Sequence, residues 1–388
     1  MSSPDSALVG ATIHVSPAEE PIRNGAILIQ DGTIAAVGRK RAVRVPPAAR
    51  VIDCSGLSIT AGFWNSHVHF FERKWANAAT LPASELDRQL ADTFTRYGFT
   101  NVFDLSSLWE NTRQLRRRIE SGEVAGPRIR STGEGLVPPG AVPSDEVSKL
   151  MGVMETPLPE ISDAAQAGAA ARKLLSEGVD GIKLFASSPR GTSLPEGAIR
   201  AAVDEARRSG KPVFVHPNNG ADVLAALRAG ADVVAHTTPR SGPWDEAILS
   251  ATKQRRASLT PTLTIWKWFL RHDRFSTQEQ VARTAGGQLR AWIEAGGTVL
   301  FGTDLGAVDP DPSEEYASMA EAGMSFAQIL VSLTTAPATQ FGESERMGRI
   351  APGFQADLVV LKGDPSKDIR ALSAVQYTLR AGKILHRP

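Results

Sequence analysis

Short apolar runs separated by polar, glycine-marked turns occupy both ends of the chain. Between them, apolar runs alternate with longer segments rich in Ala, Leu, Arg and Glu. Near the start the runs are Ala7-Leu8-Val9, Gly25-Ala26-Ile27-Leu28-Ile29 and Ile34-Ala35-Ala36-Val37. The Asp31-Gly32 pair before the last of them is a hairpin signal. The last forty residues read similarly, with short strands predicted over 356–361, 375–379 and 383–386. Neither end is large enough to bury a core alone. The two are therefore expected to pair into one composite β-sandwich domain, residues 1–60 plus 345–388.

The middle of the chain carries eight β-type runs, at 58–69, 100–105, 128–132, 181–185, 212–216, 232–236, 258–263 and 298–304. Helical stretches such as 162–176, 196–208 and 220–229 separate them. Alternating strands and helices predict an α/β fold with a parallel sheet, and eight units predict a (β/α)8 TIM barrel over 61–344. A doubly wound sheet is the alternative. The barrel is preferred because residues at the ends of its first, fifth, sixth and eighth strands converge on one mouth.

Composition narrows the function. Lys plus Arg number 43 against 42 for Asp plus Glu, so charge gives no reason to expect nucleic acid or an acidic membrane as partner. A small-molecule substrate and a homo-oligomeric assembly are the expectations instead. Cys54 is the only cysteine, which rules out an intrachain disulfide and a thiolate metal cluster. Met1 to Gly10 lacks a basic region followed by an apolar core, and no apolar run approaches the ~20 residues that span a bilayer. A cytoplasmic protein is expected.

The candidate chemistry lies at the ends of the predicted strands. Of seven histidines, His67, His69, His216 and His236 end apolar runs, whereas His14, His272 and His386 do not. His67 and His69 are two apart and share one face of a strand. His216 ends Val213-Phe214-Val215 and His236 ends Val233-Val234-Ala235; singly, each also suits a hydrogen-bonded structural histidine. Asp304 follows Val299-Leu300-Phe301-Gly302-Thr303, where a carboxylate also suits a helix N-cap. Lys183, inside Gly181-Ile182-Lys183-Leu184-Phe185, is costly to bury unless paired or modified. Imidazoles and a carboxylate at a barrel's C-terminal mouth suit a metal centre that activates water.

Two segments carry a family resemblance. Thr60-Ala61-Gly62-Phe63-Trp64-Asn65-Ser66-His67-Val68-His69 resembles the first-strand motif of the amidohydrolase superfamily. Gly348-Arg349-Ile350-Ala351-Pro352-Gly353-Phe354-Gln355-Ala356-Asp357-Leu358-Val359-Val360 resembles the C-terminal segment of the same enzymes. The likeness spans the chain and is nearest the imidazolonepropionase-like and Xaa-Pro dipeptidase-like branch. It implies a binuclear metal-dependent hydrolase with His67, His69, Lys183, His216, His236 and Asp304 as ligands. It further implies an N6-carboxylated Lys183 bridging two divalent ions, with Asp304 as general base and acid and His236 assisting. Zn2+ suits these donors, as do Mn2+, Fe2+ and Co2+.

The expected reaction is hydrolysis of an amide-like C–N bond, or of an ester or carbamate, by hydroxide held between the metals. A mononuclear deaminase competes, but such enzymes typically place a glutamate three residues after the fifth-strand histidine, where this chain has Asn219. A non-catalytic scaffold of the same fold is the third possibility, against which all six ligand positions are filled. Dipeptidase-like relatives usually carry a histidine in the loop after the third strand and a tyrosine beyond the fifth-strand region. Residues 131–140 contain no histidine, and the tyrosines are Tyr97, Tyr316 and Tyr377. That argues against recognition of a dipeptide carboxylate and leaves N-acyl, carbamate and aryl-amide substrates open. Among the aromatic residues Phe70, Trp109 and Trp266 are expected to face the mouth and bind substrate, with Phe71, Phe185 and Trp268 counted as packing. Asp104 and Glu134 suit either the mouth or structural hydrogen bonding. Arg113, Arg116, Arg117 and Arg118 read as a solvated helix face.

Overall fold

The computed structural model describes residues 6–141, 158–188, 191–270, 277–305 and 309–387. His272 and the side chain of Trp268 lie outside them. Five strands come first: β1 (Ser6–Ile13), β2 (Ile22–Gln30), β3 (Thr33–Arg39), β4 (Arg50–Asp53) and β5 (Leu57–Ala61). Eight follow: β6 (Phe63–Val68), β7 (Phe99–Asp104), β8 (Arg128–Ser131), β9 (Ile182–Phe185), β10 (Val213–His216), β11 (Val233–Ala235), β12 (Ser258–Thr260) and β13 (Thr298–Val299). The last three are β14 (Leu358–Lys362), β15 (Val375–Arg380) and β16 (Lys383–His386).

The two ends of the chain meet in one mixed sheet, ordered β16-β15-β14-β5-β1-β2-β3, with β4 also paired to β1. The Asp31-Gly32 hairpin forms as expected: β2 and β3 pair antiparallel from Gln30 and Thr33 outward. Strand β4 gave no sequence signal. Its four residues are exposed or only half-buried, so no alternation marks them.

The central strands are all parallel, in one arc of β6-β7-β8 and another of β13-β12-β11-β10-β9. Backbone hydrogen bonds run between the arcs on both sides. Ser66 N donates to Phe301 O (2.7 Å) and His69 N to Leu305 O (2.9 Å); across the other seam Leu136 N donates to Lys183 O (2.8 Å). Helices such as Ala164–Glu177, Glu196–Arg208 and Gly220–Ala229 fill the connections. The fold is α/β with parallel sheets, consistent with a TIM barrel. Trp64, Phe103 and Phe214 from three of the strands, and Leu300 just after β13, pack with Phe341 into a buried apolar cluster.

One expectation needs correction. The run 58–69, read as a single strand, is two strands in different sheets, broken at Gly62. A Cβ on Gly62 would lie 2.3 Å from Thr100 Oγ1, and its N–H donates to Asp357 O at 2.8 Å. The chain changes sheets where only a glycine fits. The arginine run is also less solvated than expected. Arg116 donates to Asp180 (2.7 Å), and Arg118 to the carbonyls of Ala78 (2.8 Å) and Leu81 (2.6 Å) as well as to Glu123. No described helix is long and apolar enough to cross a membrane.

Candidate active site

Each candidate ligand sits at or just beyond the C-terminal end of a parallel strand, except Lys183, which lies inside β9. Asp304 is the hub. Its Oδ1 lies 2.7 Å from His69 Nε2 and 3.3 Å from His67 Nε2, and its Oδ2 lies 3.7 Å from His236 Nε2. One ligand atom each from His67, His236 and Asp304 falls within 4.8 Å of the others. The His216 ring centroid is 4.7 Å from that of His236, so the fifth-strand histidine reaches the same cluster. Lys183 is buried beside Phe185, its Nζ 5.4 Å from the ring centroid.

Local structure explains how strand ends so close together meet. A Cβ on Gly302 would approach His67 Cβ to 2.7 Å, so glycine there lets the last strand press against the first. Both Thr303 N and Asp304 N donate to His67 O. Asn65 ties the same two strands by side chain: its Nδ2 donates to Thr303 Oγ1 (2.7 Å) and its Oδ1 accepts from Thr303 N (3.2 Å). His236 (φ 117°) and Asp304 (φ 59°) both have left-handed backbones, a strain that non-glycine residues show chiefly at functional sites.

Electrostatics follow from burial. Desolvation pushes the His67 and His236 pKa values well below the usual range, and it takes His216 down to about 3 with help from Lys183. These three imidazoles are therefore neutral at pH 7. Burial also drives Lys183 down to about 7, partly offset by Asp304. Burial alone would raise Asp304, yet the hydrogen bond with His69 and the charge that His67 or His236 gains on taking up a proton outweigh it, so the carboxyl is held well below the usual carboxylate range. Neutral imidazoles around a carboxylate are the protonation states a metal requires of its ligands.

A direct test of fit comes from unsatisfied atoms. His67 Nε2 and His69 Nδ1 are buried with no hydrogen-bond partner, although uncompensated burial of a polar nitrogen is costly. Behind the site, His67 Nδ1 contacts Thr260 Oγ1 (3.3 Å) and His236 Nδ1 contacts Thr262 Oγ1 (2.7 Å). These hydroxyls fix the rings with Nε2 turned toward Asp304, as supporting partners of metal-binding histidines do. The residues present fit a metal. Sequence reasoning missed Thr260 and Thr262, since threonine is common in strands and nothing set these two apart.

Two expectations about the pocket are overturned. Phe70 is fully buried against Trp75 and Phe94, with ring centroids 5.1 and 5.5 Å away, in the layer between helix and sheet. Trp109 is also buried, its Nε1 donating to Glu177 O (3.1 Å) on the helix side. Phe71, two residues after His69, continues the face that His67 and His69 share. Phe71, not Phe70, stacks on His69 at 4.4 Å and stays half-exposed. Phe185 is likewise half-exposed, 5.0 Å from the His216 ring. Trp266 stands beside the site, donating to Thr237 Oγ1 (2.8 Å) next to His236. Asp104 accepts from Ser107 (2.5 Å) and Ser131 (2.7 Å), and Glu134 accepts from Trp109 N (3.1 Å), so both serve structure.

Parallel strands that bring histidines and a carboxylate into one buried cluster, in an α/β fold consistent with a TIM barrel, suit the class of metal-dependent hydrolases. Residues 58–385 match the model of the Amidohydrolase family, and the chain belongs to that family. It is 24% identical to an ochratoxinase of Aspergillus niger, over 95% of this chain and 84% of that one. It is 26% identical to an imidazolonepropionase of Salinispora arenicola, over 87% of this chain and 86% of that one. Among solved structures, a putative prolidase from Bifidobacterium longum superposes with a TM-score of 0.84 at 25% identity, covering 99% of this chain and 95% of that one.

The two neighbouring phenylalanines give a test. Phe70→Ala should cost about 3–5 kcal/mol of stability, the usual penalty for emptying an aromatic core position. Phe71→Ala should cost only about 0.5–1.5 kcal/mol, the worth of one ring contact. Denaturant midpoints of the two variants decide it, and equal losses would return Phe70 to the mouth.

Proposed function

We propose that this chain is a binuclear metal-dependent hydrolase of an amide-like C–N bond in a small molecule. It carries its site at the mouth of a closed (β/α)8 barrel formed by residues 61–344. Residues 1–60 and 345–388 form the companion domain, its sheet curling into a small sandwich. Support for the sandwich comes from one apolar cluster that draws on β1, β2, β3, β5, β14 and β15. The observation that carries the functional reading is the convergence of neutral imidazoles on a buried, ionised Asp304, with His67 Nε2 making no hydrogen bond.

His67, His69, His216, His236, Asp304 and an N6-carboxylated Lys183 would hold two divalent ions, most readily Zn2+. When bound, such ions supply Lewis-acid activation of water and of the scissile carbonyl. Asp304 accepts the proton released as water adds to the carbonyl carbon and returns it to the leaving nitrogen, so a carboxylate and an amine are produced. His236, 3.7 Å from the second oxygen of Asp304, helps hold that carboxylate in place. Burial of Lys183 lowers the cost of its neutral form, and the neutral amine can form an N–C bond to CO2 with loss of a proton. Phe71, Phe185 and Trp266 offer an apolar and aromatic wall, which suits an N-acyl or aryl amide.

The deaminase alternative is disfavoured by Asn219. Its side chain caps the helix Gly220–Ala229, Oδ1 accepting from Asp222 N at 3.0 Å, so no acid stands where a deaminase needs one.

Across a panel of N-acyl and aryl amides, Asp304→Asn should lower kcat by about 10²–10⁴ with the fold intact, as expected for loss of a placed proton acceptor. Turnover near that of the parent would move the base elsewhere. Release of ammonia without a new carboxylate would favour the deaminase. Lys183 is tested separately. Metal-free enzyme given Zn2+ should regain activity faster with bicarbonate than in CO2-depleted buffer, whereas Lys183→Ala should show no bicarbonate effect. An equal rate in both buffers for the parent would remove the carboxylated lysine.

A further inference from the structure

Three polar residues that the proposed chemistry does not use connect the ends of β9 and β10: Ser187, Asn218 and Asp222. Ser187 and Asp222 are buried. Asp222 Oδ2 accepts from Ser187 Oγ (2.6 Å) and from Asn218 N (2.9 Å). Asn218 Nδ2 donates to Ser187 O (2.8 Å) and to Ser187 Oγ (3.1 Å). The remaining end of the amide, Asn218 Oδ1, lies 3.3 Å from His216 Nε2.

Hydrogen-bond bookkeeping leaves one consistent direction along this chain. An ionised carboxylate only accepts, so the single Ser187 hydroxyl proton goes to Asp222. Ser187 Oγ then has only lone pairs to offer Asn218, and Ser187 O is a carbonyl. Both therefore demand the NH2 end of the Asn218 amide. That orientation turns the amide oxygen toward His216, and an oxygen facing a ring nitrogen requires N–H there. Nε2 carries the proton and Nδ1 keeps the lone pair.

We infer that Asn218, held by Ser187 and Asp222, is a positioning residue that fixes His216 as its Nε2–H tautomer and so reserves Nδ1 for a metal. The metal half of this inference rests on the reading of His216 as a ligand; the tautomer half does not. The device differs from the one at His67 and His236. There the supporting hydroxyls of Thr260 and Thr262 sit on Nδ1, and Nε2 faces the cluster. The four-residue link also crosses between strands. Asp222 lies in the first turn of the helix that Asn219 caps, so placement of that helix sets the height of the His216 ring. A pair of neighbouring strands, the helix after the second, and the ring are locked as one unit.

The test uses full-length enzyme labelled with 15N in histidine. Long-range 1H–15N correlation of the metal-free protein reports which ring nitrogen of His216 is protonated, with the signal assigned by its loss in His216→Gln. The parent should show a single Nε2–H form. Asn218→Leu, which removes the acceptor without changing charge, should show both forms in exchange. Its zinc affinity, read by competition with a chromophoric chelator, should fall about 10–100-fold, the usual effect of losing a ligand's orienting partner. Asp222→Asn tests the same link from its far end, in case Asn218→Leu folds poorly; it should shift the tautomer in the same direction by a smaller amount. A parent that is Nδ1–H, or an Asn218→Leu protein with unchanged tautomer and zinc affinity, overturns the inference. A parent that shows the Nε2–H form but binds no zinc defeats the metal reading of His216 and leaves the tautomer assignment standing.

Discussion

A buried carboxylate surrounded by neutral imidazoles is the constraint on which the rest of this molecule depends. Asp304 is only 6% exposed, and an unpaired charge at such a depth is expensive. The hydrogen bond from His69 at 2.7 Å and the nearby Lys183 offset part of that cost. Meeting it requires side chains from strands far apart in sequence to end within a few ångströms of one another. Gly302 is a consequence, since any side chain there would strike His67. So is Asn65, which spans the first and last parallel strands by bonding to Thr303.

Backbone strain collects in the same place. Ser106 (φ 85°), His236 (φ 117°), Thr262 (φ 44°) and Asp304 (φ 59°) follow the ends of β7, β11, β12 and β13, all in the left-handed region. Each such non-glycine residue costs on the order of 1–3 kcal/mol. Ion pairs elsewhere tie the parallel strands to the C-terminal segment. Arg128 of β8 pairs with Asp357, which also accepts from Ala381 N, and Arg130 pairs with Glu343.

Much of this was legible in the sequence because strand ends carry strong signals. An apolar run that stops at a histidine or aspartate says both that a strand ends and what it presents, and this located His67, His216, His236 and Asp304. Lys183 was legible for the opposite reason, as a charge where the pattern demands none. The sequence reading failed near the ends of strands: it placed Phe70 at the mouth although the face shared by His67 and His69 runs on to Phe71, and it ran 58–69 together across Gly62. Trp109 was misplaced because a residue opening a helix can turn outward or inward, and only packing decides which. Supporting groups such as Thr260, Thr262 and Asn218 left no trace in the pattern, since their roles arise from neighbours distant in the chain.

The central claim is that these strand ends are built to hold metal. Its most direct test is the metal content of the purified, zinc-reconstituted protein by inductively coupled plasma mass spectrometry, with His67→Ala measured in parallel. The account predicts about two zinc ions per parent chain, as the proposed binuclear site requires, and a clear loss in the variant. Less than about half an equivalent in the parent, or equal metal in the two proteins, would contradict it.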